Sequence, residues 1–117
     1  MAQLVNVERA KAGLSPVTLD TTLSKAAQVR AKETVSYFSH TRPNGSTFSS
    51  AITEQGISFR GAGENIAYGQ KTPQEVMNGW MNSAGHRANI LNANFTKIGV
   101  GYYQQNSVNY WTQLFTY

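Results

Sequence analysis

The sequence contains no cysteine, and this absence excludes several kinds of chemistry. Disulfide bonds, cysteine-ligated zinc sites and thiol nucleophiles all need a side chain that this chain does not have. Charged residues are also scarce, at 14% of the 117 residues, against the roughly 25% that is usual for soluble domains. Amide, hydroxyl and tyrosine side chains take their place, and this polar but uncharged character favours a secreted protein.

Long apolar runs are missing as well. No stretch is apolar enough to span a membrane, and the start MAQLVNVERA lacks the apolar centre of a signal peptide. The length suits one domain, and the chain begins abruptly inside a predicted helix. We therefore expect residues 1–117 to be a single domain excised from a longer secreted protein.

The basic residues are not clustered, although they outnumber the acidic ones. The formal net charge is +4 and the isoelectric point is near 9.6, which favours anionic surroundings such as acidic lipid or wall polymer. The ten lysines and arginines are spread along the chain, and no run of them resembles a nucleic-acid-binding arm. We interpret them as a solvated basic surface, and we predict a monomer with no specific nucleic-acid partner.

Apolar spacing and capping residues predict two helices in the first third of the chain. The first covers residues 2–12 and ends at Gly13. Asp20 caps the second, which stops near Ser39–His40. The buried stripe of the second helix follows helical spacing and consists of Leu23, Ala26, Ala27, Ala31, Val35 and Phe38.

Further helices are predicted downstream. Residues 46–56 fit a short helix. The stretch Thr72–Glu75 has the form of a capping box with proline in the first turn, and it starts a helix that runs to about Asn82. Ser83 is then placed to cap a short helical turn.

The C-terminal part has strand character. KIGVGYYQ and VNYWTQLFTY both alternate, and the Gln-Asn-Ser between them suits a hairpin turn. A third strand is expected near residues 64–68, whereas LSPVTL is interpreted as a connector. Gly99 and Gly101 share one strand face, which indicates that another element packs close to the backbone there. Helices followed by an antiparallel hairpin predict an α+β layered domain.

One of the six acidic residues has no evident structural task. Two acids are assigned to helix caps and three to helix surfaces: Asp20, Glu75, Glu8, Glu33 and Glu54. The remaining acid, Glu64, lies in GAGENIAYG where the chain enters a buried segment. A buried carboxylate needs a partner, and the obvious candidates are the two histidines of the chain.

His40 and His86 can each be given a structural or a functional interpretation. His40 lies at a helix end, where the dipole favours a cation, and His86 could be a packed, hydrogen-bonded side chain. Functionally, both could converge on Glu64. Two imidazoles and a carboxylate can bind a divalent metal with one open position, or act as an acid–base cluster near neutral pH.

A nucleophile is harder to identify. Without cysteine only serine or threonine could serve, and no Gly-x-Ser-x-Gly elbow is present. Ser39 and Ser83 lie near the histidines only in sequence. The sequence therefore disfavours a serine hydrolase. The compact His-x-x-x-His signature of metalloproteases is also missing.

Taken in order, several segments resemble one family. They are VNVERAKAGLSPVTLDTTLSKAAQVRA, FSHTRPNG, GAGENIAYG, GWMNSAGHRANIL, KIGVGYY and YWTQLF. Together they resemble the CAP superfamily of cysteine-rich secretory proteins, antigen 5 and pathogenesis-related 1 proteins, also called SCP domains. NSAGHRANIL without cysteines is similar to the compact bacterial branch. The resemblance implies a three-layer α-β-α sandwich, with a small antiparallel sheet between helical layers.

The resemblance also implies a cleft in which two histidines and two acids meet. His40 matches the first histidine, Glu64 the acid of the GEN motif and His86 the histidine of the GH motif. Ser83 stands where the second acid usually follows the helix tryptophan, so the tetrad is reduced to a triad. The triad would hold a divalent metal, with zinc the first candidate, and the cleft would be lined by Ser83, Asn65, Arg87 and Gln113.

Two functions from different classes follow from this interpretation. The first is a secreted, non-enzymatic binding module for a divalent metal or a polar ligand of the cell envelope, such as wall polymer, lipid or glycan. The alternative is a metal-assisted hydrolase of peptide, cell-wall or lipid ester substrates, with Glu64 as general base and the histidines as ligands. The missing second acid and the missing nucleophile favour binding, because fold membership alone does not settle function.

Overall fold

The structure, a computed structural model, describes all 117 residues of the chain. It is a mixed helix and strand domain, as predicted. Its elements in chain order are α1 (Ala2–Lys11), β1 (Thr18–Leu19), α2 (Thr21–Ser36), α3 (Ser50–Glu54), β2 (Ala62–Tyr68), α4 (Pro73–Met81), α5 (Ala84–Ile90), β3 (Lys97–Gln105) and β4 (Val108–Thr116).

The four strands form one sheet in the order β1-β3-β4-β2. The predicted hairpin is confirmed: β3 pairs antiparallel with β4, and Asn106 and Ser107 make the turn with φ of 53° and 64°. Positive φ at both central residues gives the twist that joins antiparallel strands well. The predicted third strand is also confirmed, since β2 pairs antiparallel with β4 and forms an edge of the sheet.

The first strand was not predicted. LSPVTL was expected to be a connector, but Thr18 and Leu19 pair parallel with the start of β3. The sheet is therefore mixed rather than purely antiparallel. A strand of two residues is too short to show a periodic pattern. Its pairing comes from backbone hydrogen bonds with the adjacent strand, such as Asp20 N–H to the carbonyl of Ile98 at 2.9 Å.

Helix α2 lies directly on β3, as the two strand glycines indicated. A Cβ placed on Gly99 would come within 2.4 Å of the Leu23 carbonyl carbon, and one on Gly101 within 2.3 Å of the Ala27 carbonyl oxygen. Only glycine permits this approach of helix to strand. The α2 side has its own small core of buried residues: Leu23, Ala26, Ala27, Ala51, Ile52 and Leu114.

The other face of the sheet is covered by α1, α4 and α5. Their apolar side chains pack with those of β3 and β4 in the larger core, which includes Val5, Val76, Trp80, Ile90 and Phe115. Helices on both faces of one sheet give the predicted three-layer sandwich.

The predicted caps of α2 and α4 are confirmed, but α2 ends early, and the helix predicted over residues 46–56 covers only Ser50–Glu54. The Asp20 carboxylate accepts from Leu23 N–H at 2.9 Å, and Thr72 Oγ1 accepts from Glu75 N–H at 3.1 Å. Helix α2 stops at Ser36, and the extended backbone of the next residue carries the chain away from the helix axis. Phe38, predicted in the buried stripe, is consequently 45% exposed.

Three arginines are buried, which contradicts the expectation of a solvated basic surface. Arg9, Arg30 and Arg42 are each at most 5% exposed. Arg9 donates to the backbone carbonyls of Ser15 and Ile90, both at 2.8 Å, and burial lowers the pKa of its guanidinium. It therefore fastens α1 to the segment that follows α5.

Candidate functional site

Glu64 is the buried centre of the site. It lies on β2 and is 3% exposed. Its Oε2 accepts from Arg30 Nε at 2.7 Å, and its Oε1 accepts from Arg30 Nη2 at 3.1 Å. The expected partner of this carboxylate was a histidine, but the main partner is this two-pronged arginine contact, which strongly orders both groups.

The sequence held a signal for Arg30 that its interpretation as a surface residue overlooked. Arg30 follows Ala26 by four positions and Ala27 by three, so it lies on the apolar stripe of α2. A charged residue on a buried stripe requires a buried partner of opposite charge. Glu64 was the one acid without another task.

His40 also contacts Glu64. Its Nδ1 lies 2.8 Å from Glu64 Oε1, while 58% of the His40 side chain remains exposed. The loop after α2 holds the residue in place, because Phe48 N–H donates to the His40 carbonyl at 2.9 Å. A carboxylate accepts hydrogen bonds, so Nδ1 is the donor in this contact.

Alternating charges extend the site along α2. Arg30 Nη1 donates to Glu33 at 2.9 Å, and Arg42 contacts both Glu33, at 2.8 Å, and Glu54, at 2.9 Å. Burial raises the pKa of Glu33, but hydrogen bonds from Arg42 and Arg30 outweigh it and hold that pKa below its ordinary value. Glu33, predicted to be a helix-surface acid, is therefore a shared partner of two buried arginines.

His86 reaches the site from α5. Its Nδ1 lies 2.8 Å from Ser83 Oγ, and its ring centre is 6.4 Å from that of Trp80. Burial, and then the positive charge of His40, lower the pKa of His86, so the ring is neutral at pH 7. Ser83 occupies the N-cap position, as predicted, but its hydroxyl bonds the imidazole instead of a helix N–H.

Asn65 and Gln113, predicted to line the cleft, are fully buried and do not line it. The Asn65 amide donates to the His86 carbonyl at 3.2 Å and to Gln113 Oε1 at 3.1 Å. Asn89 of α5 donates to Asn65 Oδ1 at 2.9 Å and to the Glu64 carbonyl at 3.2 Å. These amides fix α5, and with it His86, to the edge of the sheet.

A cleft of about 320 Å³ lies over the outer edge of β2. Its walls are mainly apolar and carry no arginine, lysine, aspartate or glutamate; they include Phe38, Ile66, Tyr68, Trp80, Ser83 and His86. Arg87, predicted to line this cleft, lies in a separate groove beside α1 and α4, with Leu4 and Met77. Because successive residues of a helix point in different directions, neighbouring positions in sequence do not share the cleft.

His40, Glu64 and His86 are not arranged as three direct ligands of one metal ion. No group of three or more histidine, aspartate or glutamate side chains in the chain is arranged to hold a metal ion. Arg30 and His40 engage both oxygens of Glu64. In metal sites a ligating histidine often hydrogen-bonds a carboxylate through its other ring nitrogen, which orients the ring. Glu64 is placed to orient His40 in this way. Metal binding itself stays a prediction.

The whole chain matches a known family. Residues 2–115 match the family described as CAP, the cysteine-rich secretory protein family. The chain belongs to the CAP family. Over 98% of the present chain it is 52% identical to the uncharacterized protein YkwD of Bacillus subtilis. Over 92% of the present chain it is 35% identical to the uncharacterized membrane protein YlbC of the same organism. It spans 45% and 33% of the lengths of these two relatives.

Similar solved structures confirm the predicted fold. An extracellular protein with an SCP domain from Bacillus anthracis matches 99% of the chain, with a TM-score of 0.90, 33% identity and 39% of its own chain covered. An outer surface protein of Borrelia burgdorferi matches 98%, with a TM-score of 0.89, 26% identity and 87% of its own chain covered. No helix of the present chain is long and apolar enough to cross a membrane.

Proposed function

We propose that this CAP domain is a non-catalytic binding module of a protein outside the cell, and that His40 and His86, with the cleft that His86 lines, form its ligand site. The observation that carries the proposal is the orientation of each imidazole by Nδ1. Glu64 holds His40 at 2.8 Å and Ser83 holds His86 at 2.8 Å. In both rings Nδ1 makes the contact, and Nε2 has no hydrogen-bond partner in the protein.

The placement of this site supports binding rather than hydrolysis. A general base needs an oxygen that can take a proton from water, but the Glu64 carboxylate is buried and bonded to Arg30 through both oxygens. Ser83 supplies a neutral hydroxyl where a second acid would stand. The metal-assisted hydrolase stays a prediction without a contact that favours it.

A divalent cation would be held by the two imidazoles, with Glu64 behind His40 as the orienting carboxylate. Such a cation would present a positive Lewis-acid centre to oxygen atoms of a polar ligand. Zinc is the first candidate, because neutral imidazole nitrogen is one of its preferred ligands. The lowered pKa of His86 keeps that ring neutral, and therefore able to ligate, at pH 7.

The location outside the cell is supported by two observations. The similar proteins of Bacillus anthracis and Borrelia burgdorferi are described as extracellular and as an outer surface protein. The net charge of +4 favours contact with anionic polymers of a cell envelope.

Calorimetric titration with zinc chloride tests the metal contact. We expect the wild type to bind zinc, His86→Ala and His40→Ala to lose binding, and Glu64→Gln to bind about 10- to 100-fold more weakly. Arg87→Ala is the matched control, because its side chain leaves the same helix toward another groove. Titrations without heat for wild type and His86→Ala alike would remove the cation from the proposal.

A further inference from the structure

Three aromatic side chains form an exposed ridge beside the cleft. We define the aromatic ridge as Phe38, Tyr68 and Tyr110. The Phe38 ring meets Tyr68 edge-on with centroids 4.8 Å apart, and Tyr68 stacks on Tyr110 at 5.9 Å. Phe38 is 45% exposed and Tyr68 is 55% exposed. Large aromatic surface is costly to leave in water, so this ridge is a candidate contact surface.

The ridge separates two hollows that open to solvent. On one side is the cleft, and on the other is a hollow of about 280 Å³ that Thr34 and Val35 line together with the ridge. No arginine, lysine, aspartate or glutamate lines either hollow. In a protein of net charge +4, a surface free of charged groups selects an uncharged ligand over nucleic acid or acidic lipid.

One polar group in the cleft has no partner in the protein. Gln70 lines the cleft, and its side-chain oxygen Oε1 is covered but accepts no hydrogen bond. The backbone of Gln70 is held firmly, because its carbonyl accepts from Asn109 and from Trp111, both at 3.0 Å. An unpaired buried acceptor calls for a donor.

We propose that the aromatic ridge and its two hollows bind an uncharged polysaccharide that carries acetamido groups. This rests on the proposed function and names the ligand class of the same site. The apolar faces of sugar rings would stack on Tyr68 and Phe38, as amphipathic aromatic rings allow. An acetamido N–H would donate to Gln70, with its methyl group against Ile66. Both hollows are open to solvent, whereas ligand pockets that bury most of an apolar ligand are more enclosed.

NMR titration of ¹⁵N-labelled protein with a tetrasaccharide of β-1,4-linked N-acetylglucosamine tests the proposal. Amide shifts are expected at residues 34–38, 66–70 and 110. Tyr68→Ala and Phe38→Ala are expected to weaken binding about tenfold each, whereas Tyr68→Phe retains the ring and the affinity. Tyr37→Ala is the matched control, because Tyr37 is exposed but lines neither hollow.

A second sugar tests the contribution of Gln70. A tetrasaccharide of β-1,4-linked glucose has the same ring faces without acetamido groups, and it should bind more weakly to the wild type. Gln70→Ala should remove that preference. Equal affinity for the two sugars would overturn the acetamido part of the proposal.

Other results would overturn the ridge as a glycan site. One is the absence of amide shifts at millimolar tetrasaccharide. Another is an equal loss of affinity in Tyr68→Ala and Tyr37→Ala. A third is binding of anionic vesicles through Tyr68 without any response to the sugar. A zinc titration of the wild type separates this inference from the proposed function, because the imidazoles would hold zinc and the ridge would hold the sugar. Normal zinc binding without sugar binding would refute the ridge alone.

Discussion

At the scale of single residues, the site is built by pairing each imidazole with a fixed neighbour. Arg30 orders the Glu64 carboxylate, and Glu64 in turn orders the exposed ring of His40. The arrangement places two full charges in a part of the protein with little water, where an unpaired charge is very costly. Arg30 therefore acts on the cleft through Glu64 without touching a ligand.

Removing one partner of this pair should destabilise the fold. Arg30→Met leaves the Glu64 carboxylate buried without its cation, and we expect a loss of about 3–5 kcal/mol in the free energy of unfolding. Urea denaturation measures it. Lys25→Met, on the exposed side of the same helix, should change stability little. The double variant Arg30→Met/Glu64→Gln should recover part of the loss, and no recovery would show that the pair is not the cause.

His86 predicts a dependence of stability on pH. The pKa of His86 in the folded protein is below its ordinary value of 6.5. As the pH falls, the unfolded chain therefore takes up a proton at a higher pH than the folded chain does. The contribution of His86 to stability is present above pH 6.5 and is lost as the pH falls through the folded pKa. Urea midpoints should decrease from about pH 7.5 to about pH 5, and His86→Gln should reduce that decrease. Equal decreases in both proteins would contradict the assignment to His86.

At the scale of elements, close packing of α2 on β3 sets the position of Arg30 over the sheet. Glycine at two alternate positions of β3 lets the helix backbone approach the strand. Helix α2 then brings Arg30 to Glu64 of the edge strand β2. The cleft lies beside this packing, because Phe38, which follows α2, lines it together with residues of β2, α4 and α5.

A methyl group on β3 should therefore be poorly tolerated. In Gly101→Ala the new Cβ would lie 2.3 Å from the Ala27 carbonyl oxygen, a backbone atom that moves only with the helix. We expect a loss of about 1–3 kcal/mol in thermal or urea unfolding. Gly79→Ala is the control, because nothing lies within 4 Å of its Cβ, and it should gain up to about 1 kcal/mol as a helix residue. A neutral Gly101→Ala would contradict the close approach.

Elements with strong local signals were the ones that could be predicted. Asp20 and Thr72 mark their helix starts, and alternation marks β3 and β4, because capping and strand periodicity are local properties. The two-residue β1 and the early end of α2 depend on backbone contacts made with distant parts of the chain. Local sequence carries little information about such contacts.

At the scale of the whole molecule, a small domain without disulfides combines a compact sandwich with a buried polar network. Helices on both faces bury the sheet. The backbone carbonyls of Glu64 and Ile66 on the edge strand β2 accept from the Asn89 amide and the Trp80 indole. Covering an edge strand in this way prevents pairing with other chains. The same cover places His86 beside the strand that carries Glu64.

Only part of the site could be predicted from the sequence. His40 and Glu64 do meet, and His86 lies near enough for the charge of His40 to lower its pKa. Arg30 was missed because all basic residues were assigned to the surface. Arg87 was misplaced because side-chain direction on a short helix depends on how the helix docks, which sequence spacing does not determine.

The most direct test of the cleft as a ligand site is to follow the imidazole nitrogens of His40 and His86 by ¹H–¹⁵N NMR during a zinc titration. Histidine nitrogens report separately on the bonded and the ligand-facing atom of each ring. The Nε2 signals of both residues should shift together with one-to-one stoichiometry, while Nδ1 of His40 keeps its proton to Glu64. A response from one ring alone, or two independent and solvent-like histidines, would contradict a shared ligand site.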